Sequence, residues 1–445
     1  MHKLDTSTGN IFKLALPIYG GMLANTLVGI IDTGFMGRVG LIPQSAVGYG
    51  ALFYLVFYLI GFGFVLGSQI IIARRVGEGA LRRVGLIFTN TVIVMLFYVA
   101  ILAILILFGT RLFFSVMLNS DVLAQQTSSY LQIRAVGLPC MALNLCFMAF
   151  YVGTARSKAI GISSILSGVV NVVLDFFLIY GYGKIEAMGL QGAAWASAIS
   201  DMSGTLIFIL YARLFHSFAP FRLKQGMAIR LSVIKQIFKV STPLILQNFL
   251  SIFSWFLFFT LIEKTGERNF GISVILRSIY SLFMISAFAL GSATNSMVSN
   301  LIGQGRHYEI GTLLKRITRI SFLFIAVSTL PVWLIPETLF MLFTHDAGIA
   351  KDAVDSMYVI GIAMFILSVS NIYFQAVSGT GNTNISLRIE AVCIVLYLLY
   401  SACTTMLMDV PLSAIWIAEV LYMASFGLLA KRYMDSGKWK NKRIE

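Results

Sequence analysis

Charge is scarce in this chain. Of its 445 residues, 12% are Asp, Glu, Lys or Arg, against 58% hydrophobic. Soluble domains carry about 25% charge, so composition excludes a soluble globular fold. Cysteine is rare too, with four in all. Cys140, Cys146, Cys393 and Cys403 sit in apolar stretches, and no pair has metal-ligand spacing, which leaves them as packing thiols. Alternation of polar and apolar residues is missing from long runs such as 91–109, which excludes a transmembrane β-barrel.

What is present is apolar length. The mean hydropathy is +0.86. Apolar runs of about 20 residues recur, each able to cross a hydrocarbon core about 30 Å thick. Twelve spans are expected. The first six run near 11–37, 44–72, 84–109, 124–152, 157–181 and 188–212. The second six run near 236–262, 269–299, 313–335, 350–378, 384–407 and 411–431. The first apolar segment is too long for a signal h-region and reads as an uncleaved span.

The net charge of +14 raises the question of nucleic-acid binding, but its distribution argues against it. Lys and Arg gather in the termini and in alternate loops on one side. This bias places both termini in the cytoplasm; the expected location is a bacterial plasma (inner) membrane, as a multi-pass protein. The basic tail after residue 430 reads as a topology anchor.

The longest polar connection lies at the midpoint. It divides the chain into an N-terminal lobe (1–212), a cytoplasmic linker (213–235) and a C-terminal lobe (236–445). The lobes read as repeats at an offset of 226. Pro17 matches Pro243, Gly40 matches Gly266, and Gly77 and Gly79 match Gly303 and Gly305. Gly85 matches Gly311, and Gly153-Thr154 matches Gly379-Thr380. Six spans per half give both repeats one orientation. The expected fold is an all-α polytopic membrane protein with twelve transmembrane helices in two six-helix lobes related by pseudo-twofold symmetry. Such repeats place substrate between the lobes and work by alternating access.

Two acids interrupt the apolar runs. An ionisable group at the centre of a span costs roughly 2.5–3.5 kcal/mol on insertion scales, so it is usually functional. Asp32 lies about 32 Å along the first span and Asp175 about 27 Å along the fifth, both counted from the inner side at 1.5 Å per residue. They share the outer half of the membrane. Asn171 and Asp175 are i and i+4 and share a face. The three side chains offer several oxygens to a hard cation such as Na⁺. Alternatively, one carboxyl holds a proton.

Pro17 removes a backbone hydrogen bond from the helix that carries Asp32, and with its mate Pro243 it marks a paired hinge. Asp201, within the sixth span, is a third candidate for the polar network. Gln247, Asn248, Asn371 and Gln375 are candidates for a substrate cavity in the second lobe, with inter-helix hydrogen bonding as the competing role. Arg134 and Glu419 also fall within spans, while Arg277 and Glu390 lie near enough to span ends to snorkel. The offset carries Asp32 to Phe258, Asn171 to Tyr397 and Asp175 to Ser401, so the acidic chemistry is expected only in the first lobe.

These residues resemble the multidrug and toxic compound extrusion (MATE) family over essentially the whole chain. The pieces that carry the resemblance are Leu16-Pro17, Asp32-Thr-Gly-Phe-Met-Gly-Arg-Val-Gly40, Gly77-Glu-Gly79 with Gly303-Gln-Gly305, Gly153-Thr154, Asn171-Val-Val-Leu-Asp175 and Gly189-Leu-Gln-Gly-Ala-Ala-Trp-Ala-Ser197. The resemblance implies a non-enzymatic antiporter that exports amphiphilic, often cationic, small molecules as H⁺ or Na⁺ enters. It implies a cation site at Asp32, Asn171 and Asp175, matching the DinF-like branch, with Ser197 as a further hydroxyl. The NorM-like branch has a glutamate in the seventh span, where this chain has Ser251. The expected partners are the small-molecule substrate and the bilayer, for a monomer with no cofactor beyond the coupling ion.

The alternative is a flippase for a lipid-linked precursor, from the same wider superfamily. Few intramembrane Arg or Lys argues against it. An intramembrane prenyltransferase would need clustered acids to hold Mg²⁺, and Asn171-Val-Val-Leu-Asp175 lacks the second acid. A channel would need a filter-like loop or a charge ring, and none is visible.

Overall fold

The computed structural model describes residues 4–184, 186–216, 218–221, 229–344 and 346–440. Among them the chain is helical, with no β-strand. In the first half the helices are α1 (Thr8–Val39), α2 (Leu41–Gly77), α3 (Leu81–Met117), α4 (Asp121–Arg134), α5 (Leu138–Gly153), α6 (Lys158–Tyr180) and α7 (Leu190–Leu214). In the second they are α8 (Leu231–Glu263), α9 (Glu267–Gly303), α10 (Ile310–Ser328), α11 (Leu330–Leu334), α12 (Pro336–Met341), α13 (Ala347–Gly379), α14 (Thr383–Met406) and α15 (Leu412–Asp435).

The repeat is written into helix boundaries. Adding 226 to the ends of α2 gives the ends of α9, and the last residue of α5 gives the last residue of α13. The turns repeat as well. Gly79 and Gly305 follow the paired 37-residue helices with φ of 74° and 73°. Only glycine adopts that left-handed backbone without strain. The close packing also recurs. A Cβ on Gly153 would meet the Gln69 carbonyl at 3.1 Å, and one on Gly379 would meet the Asn295 carbonyl at 2.5 Å. Gln69 and Asn295 are themselves 226 apart.

Eleven helical segments among the described residues are long and apolar enough to span a membrane, with α4 and α5 forming one of them. The expected span 313–335 is the exception. Its counterpart α3 is unbroken for 37 residues, but here the chain splits into α10, α11 and α12. Pro331 and Pro336 stand at the starts of α11 and α12. Proline has no N–H for the helical ladder and clashes with the preceding turn, so continuous helix is lost there.

By its contacts the chain divides into two units. One is Leu16–Ser241; the other is Met1–Ala15 together with Thr242–Glu445. This differs from the expected 1–212, 213–235 and 236–445. Part of the polar linker (217 and 222–228) lies outside the described residues, and the first segment falls in the unit built from the second half. Ile11, Leu14 and Ala15 are buried among Leu290, Ala293 and Met297 of α9. Arg306 Nη1 donates to the Leu4 carbonyl at 2.8 Å and Arg316 Nη1 to the Thr6 carbonyl at 2.6 Å. Arg306 also pairs with Glu309, whose hydrogen bond to the guanidinium holds its carboxyl below the usual range. In the other unit, the start of α8 is fixed by Ser241 Oγ, which donates to the Phe64 carbonyl at 2.7 Å. The chain passes between units one residue before Pro17 and one before Pro243, each inside a helix.

Candidate functional site

On α1, Pro17, Gly21, Val28 and Asp32 fall on one face by helical spacing. On α6, Gly161, Gly168, Asn171 and Asp175 do the same. These two faces meet. A Cβ on Gly161 would lie 3.1 Å from the Pro17 carbonyl, one on Gly168 3.1 Å from Val28, and one on Gly21 3.0 Å from Ser164 Oγ. Small residues thus let the helices approach closely, as is usual where packing drives association in lipid. Past the acids, the Tyr180 hydroxyl donates to the Phe35 carbonyl at 2.9 Å, and the two rings meet edge to face at 5.7 Å. Asp32 is therefore pinned against Asn171 and Asp175 from both sides.

With its amide oriented to satisfy its neighbours, Asn171 Nδ2 donates to Asp32 Oδ1 at 3.0 Å and to Asp175 Oδ2 at 3.2 Å. The two carboxyl groups thus share one amide donor. Asp175 is fully buried and Asn171 is 2% exposed, while Asp32 is half-buried. Asp175 Oδ1 has no partner. Two acids on one donor strongly favour binding one proton or one cation between them, because paired negative charges in a poorly solvated place repel.

Asp201 is not in that triad. It pairs with Arg134, Nη1 to Oδ2, at 3.0 Å, and Arg134 lies over the Tyr54 ring with 4.5 Å from Cζ to its centroid. Asn144 Nδ2 donates to the Asp201 carbonyl at 2.9 Å. The sequence placed Arg134 in a span without assigning it a partner. None of the described hydrogen bonds joins Ser197 to the triad.

In the second unit, Asn371 and Gln375 form hydrogen bonds to α9. Asn371 is 2% exposed and its Nδ2 donates to the Ala287 carbonyl at 2.7 Å. Gln375 accepts from Asn295 at 3.5 Å. Gln247 and Asn248 are half-buried, and Gln247 Oε1 and Asn248 Nδ2 have no partner. Glu390 does not snorkel. It is 2% exposed and accepts from the Ser251 and Tyr422 hydroxyls, because its side chain faces α8 and α15 rather than the membrane surface.

One contact tests the triad's support. A Cβ on Gly192 of α7 would overlap the Leu178 carbonyl on α6, one turn past Asp175. Gly192→Ala is expected to push the helices apart and cost about 1–3 kcal/mol. A melting temperature equal to wild type would show that the close approach is absent.

A helical membrane protein of two repeats, one carrying a pair of acids within its spans, has the build of a membrane transporter. The MatE family model matches residues 17–177 and again 243–403, each 226 apart. The chain belongs to that family, the MATE transporters. It is similar to the probable multidrug resistance protein NorM of Thermotoga maritima, 24% identical over 98% of this chain and 93% of the relative. The corresponding protein of Mannheimia succiniciproducens is 23% identical over 86% and 83%. The fold matches a multidrug resistance MATE family transporter of the MOP superfamily in an outward-facing conformation, with TM-score 0.89, 17% identity, and 98% and 96% of the chains covered. It also matches a MOP superfamily transporter from Pyrococcus furiosus, with TM-score 0.86, 18% identity, and 96% and 95% covered.

Proposed function

We propose that this protein is a cation-coupled antiporter of the DinF-like branch, in which H⁺ or Na⁺ entry drives export of amphiphilic, often cationic, small molecules. The observation that carries the reading is the Asp32–Asn171–Asp175 triad: two acids held on one amide, one of them sealed from water with an oxygen unpartnered. Such a pair binds a cation or proton far better than it binds nothing. The multidrug resistance proteins named above supply the substrate class. Pro17 and Pro243, where the chain passes between its units, supply hinges for alternating access. The distribution of Lys and Arg supports cytoplasmic termini, for a chain expected in a bacterial inner membrane.

The experiment is efflux of a fluorescent organic cation from proteoliposomes under separately imposed pH and sodium gradients. The expected result is that one inward ion gradient accelerates export. Efflux indifferent to both gradients would overturn the coupling.

A further inference from the structure

The second half has an acid where the offset predicts none. Tyr397 stands at the position of Asn171, and its hydroxyl donates to Glu419 Oε1 at 2.9 Å. Tyr280 stands at the position of Tyr54, and its hydroxyl lies 3.5 Å from Glu419 Oε2. Phe258 stands at the position of Asp32, and its ring centroid is 5.1 Å from that of Tyr397. The positions of Asn171 and Asp32 thus meet again in the second half, but the carboxyl arrives from a different helix. Glu419 lies on α15, where the first half has Ala193 on α7. Correspondingly, the Tyr54 hydroxyl in the first half is buried without a partner.

Glu419 is 1% exposed. It makes no ion pair among the described residues. The position matching Arg134 is Ile360, part of the same apolar core as Phe258, Tyr280, Tyr397 and Trp416. The titratable groups acting on Glu419 are Tyr397 of α14 and Tyr280 of α9. Tyr422, on its own helix, packs its ring on Tyr397 at 5.4 Å and donates to Glu390 at 2.6 Å. From α8 the core receives Phe258 and Ile262, and from α13 Ile360 and Met364, none of them titratable. A charged carboxylate so placed lacks a counter-ion and would be costly. The second carboxylate or carbonyl set that a metal cation needs is also missing from its hydrogen-bond partners, which are phenol hydroxyls. The remaining occupant is a proton.

We propose that Glu419 is a second proton-binding site, built in the second repeat at the place equivalent to the Asp32–Asn171–Asp175 triad, with Tyr397 and Tyr280 as its hydroxyl partners. It stands on the second unit's own geometry and does not require the first-half triad to be the coupling site.

The test is an infrared pH titration of the full-length protein in lipid nanodiscs, read at the C=O stretch of protonated carboxyl groups. The starting chain carries Asp32→Asn and Asp175→Asn, which silences the first triad. The expected result is a C=O component that comes and goes with pH in this chain and is lost when Glu419→Gln is added. Identical titrations with and without Glu419→Gln overturn the proposal. Tyr397→Phe keeps the ring packing and removes one hydroxyl, so it remains informative if Glu419→Gln fails to fold. It is expected to move both the frequency and the midpoint of that component, and an unmoved component overturns the proposal equally.

Discussion

Asp175→Asn is expected to reduce gradient-driven efflux about 100-fold or more, the size usual for removing a positioned proton-transfer group, while the protein stays folded. The amide has nearly the shape of the acid and can still meet Asn171, whose Nδ2 lies 3.2 Å from Asp175 Oδ2. What it loses is the charge. On the proposed mechanism the two carboxyl groups of the native pair hold one positive ion between them, and the sealed position of Asp175 makes an unneutralised charge costly. With an amide in place of that carboxyl, Asp32 no longer faces a second acid and the affinity that drives exchange falls. Asp32→Asn should behave alike. The measurement is initial efflux rate in proteoliposomes under the active gradient, with expression and melting temperature as controls. Wild-type rates from a correctly folded Asp175→Asn protein would remove the acid from the coupling mechanism.

The second large effect concerns stability. Arg134 and Asp201 form an ion pair whose side chains are 12% and 25% exposed. Removing one partner of a buried pair costs about 3–5 kcal/mol, chiefly because the other charge is left uncompensated. The residual exposure puts Arg134→Leu near the lower end, about 3 kcal/mol, with loss of the Tyr54 cation–π contact adding about 1 kcal/mol. The double variant Arg134→Leu/Asp201→Leu removes both charges and should recover most of that loss, since replacing such a pair with apolar groups is often neutral. Melting temperatures of the two variants in lipid decide the matter. Equal destabilisation by the single and double variants would show that the ion pair is not what stabilises this site.

Much of this architecture was legible in the sequence because it rests on glycine, proline and apolar length, which act locally. Gly79 and Gly305 could be paired by offset because the turn they make admits little else. The triad was legible because Asp32 and Asp175 are rare charges at matching depth, and helical spacing sets Asn171 beside Asp175. The face that closes the site, Gly161 and Gly168 against Pro17 and Val28, carries the same spacing and could have been read from it. Other features were not legible, because they depend on which distant side chains meet. No spacing rule joins Arg134 to Asp201, 67 residues apart, or carries Ile11, Leu14 and Ala15 into the unit built from the second half. Residue-by-residue comparison of the repeats sets Glu419 opposite Ala193, so it gave that acid no counterpart in the first half. The helix break after α10 was visible in Pro331 and Pro336, but apolar length outweighed it.

The most direct measurement counts ions displaced by substrate. Purified protein in weakly buffered solution is mixed with an organic cation, and release is followed by a pH indicator in one run and by radioactive sodium in another. The wild-type chain is expected to release one of these ions on binding substrate, and the Asp32→Asn/Asp175→Asn chain neither. Release from the double variant equal to that from wild type would contradict the triad as the seat of coupling.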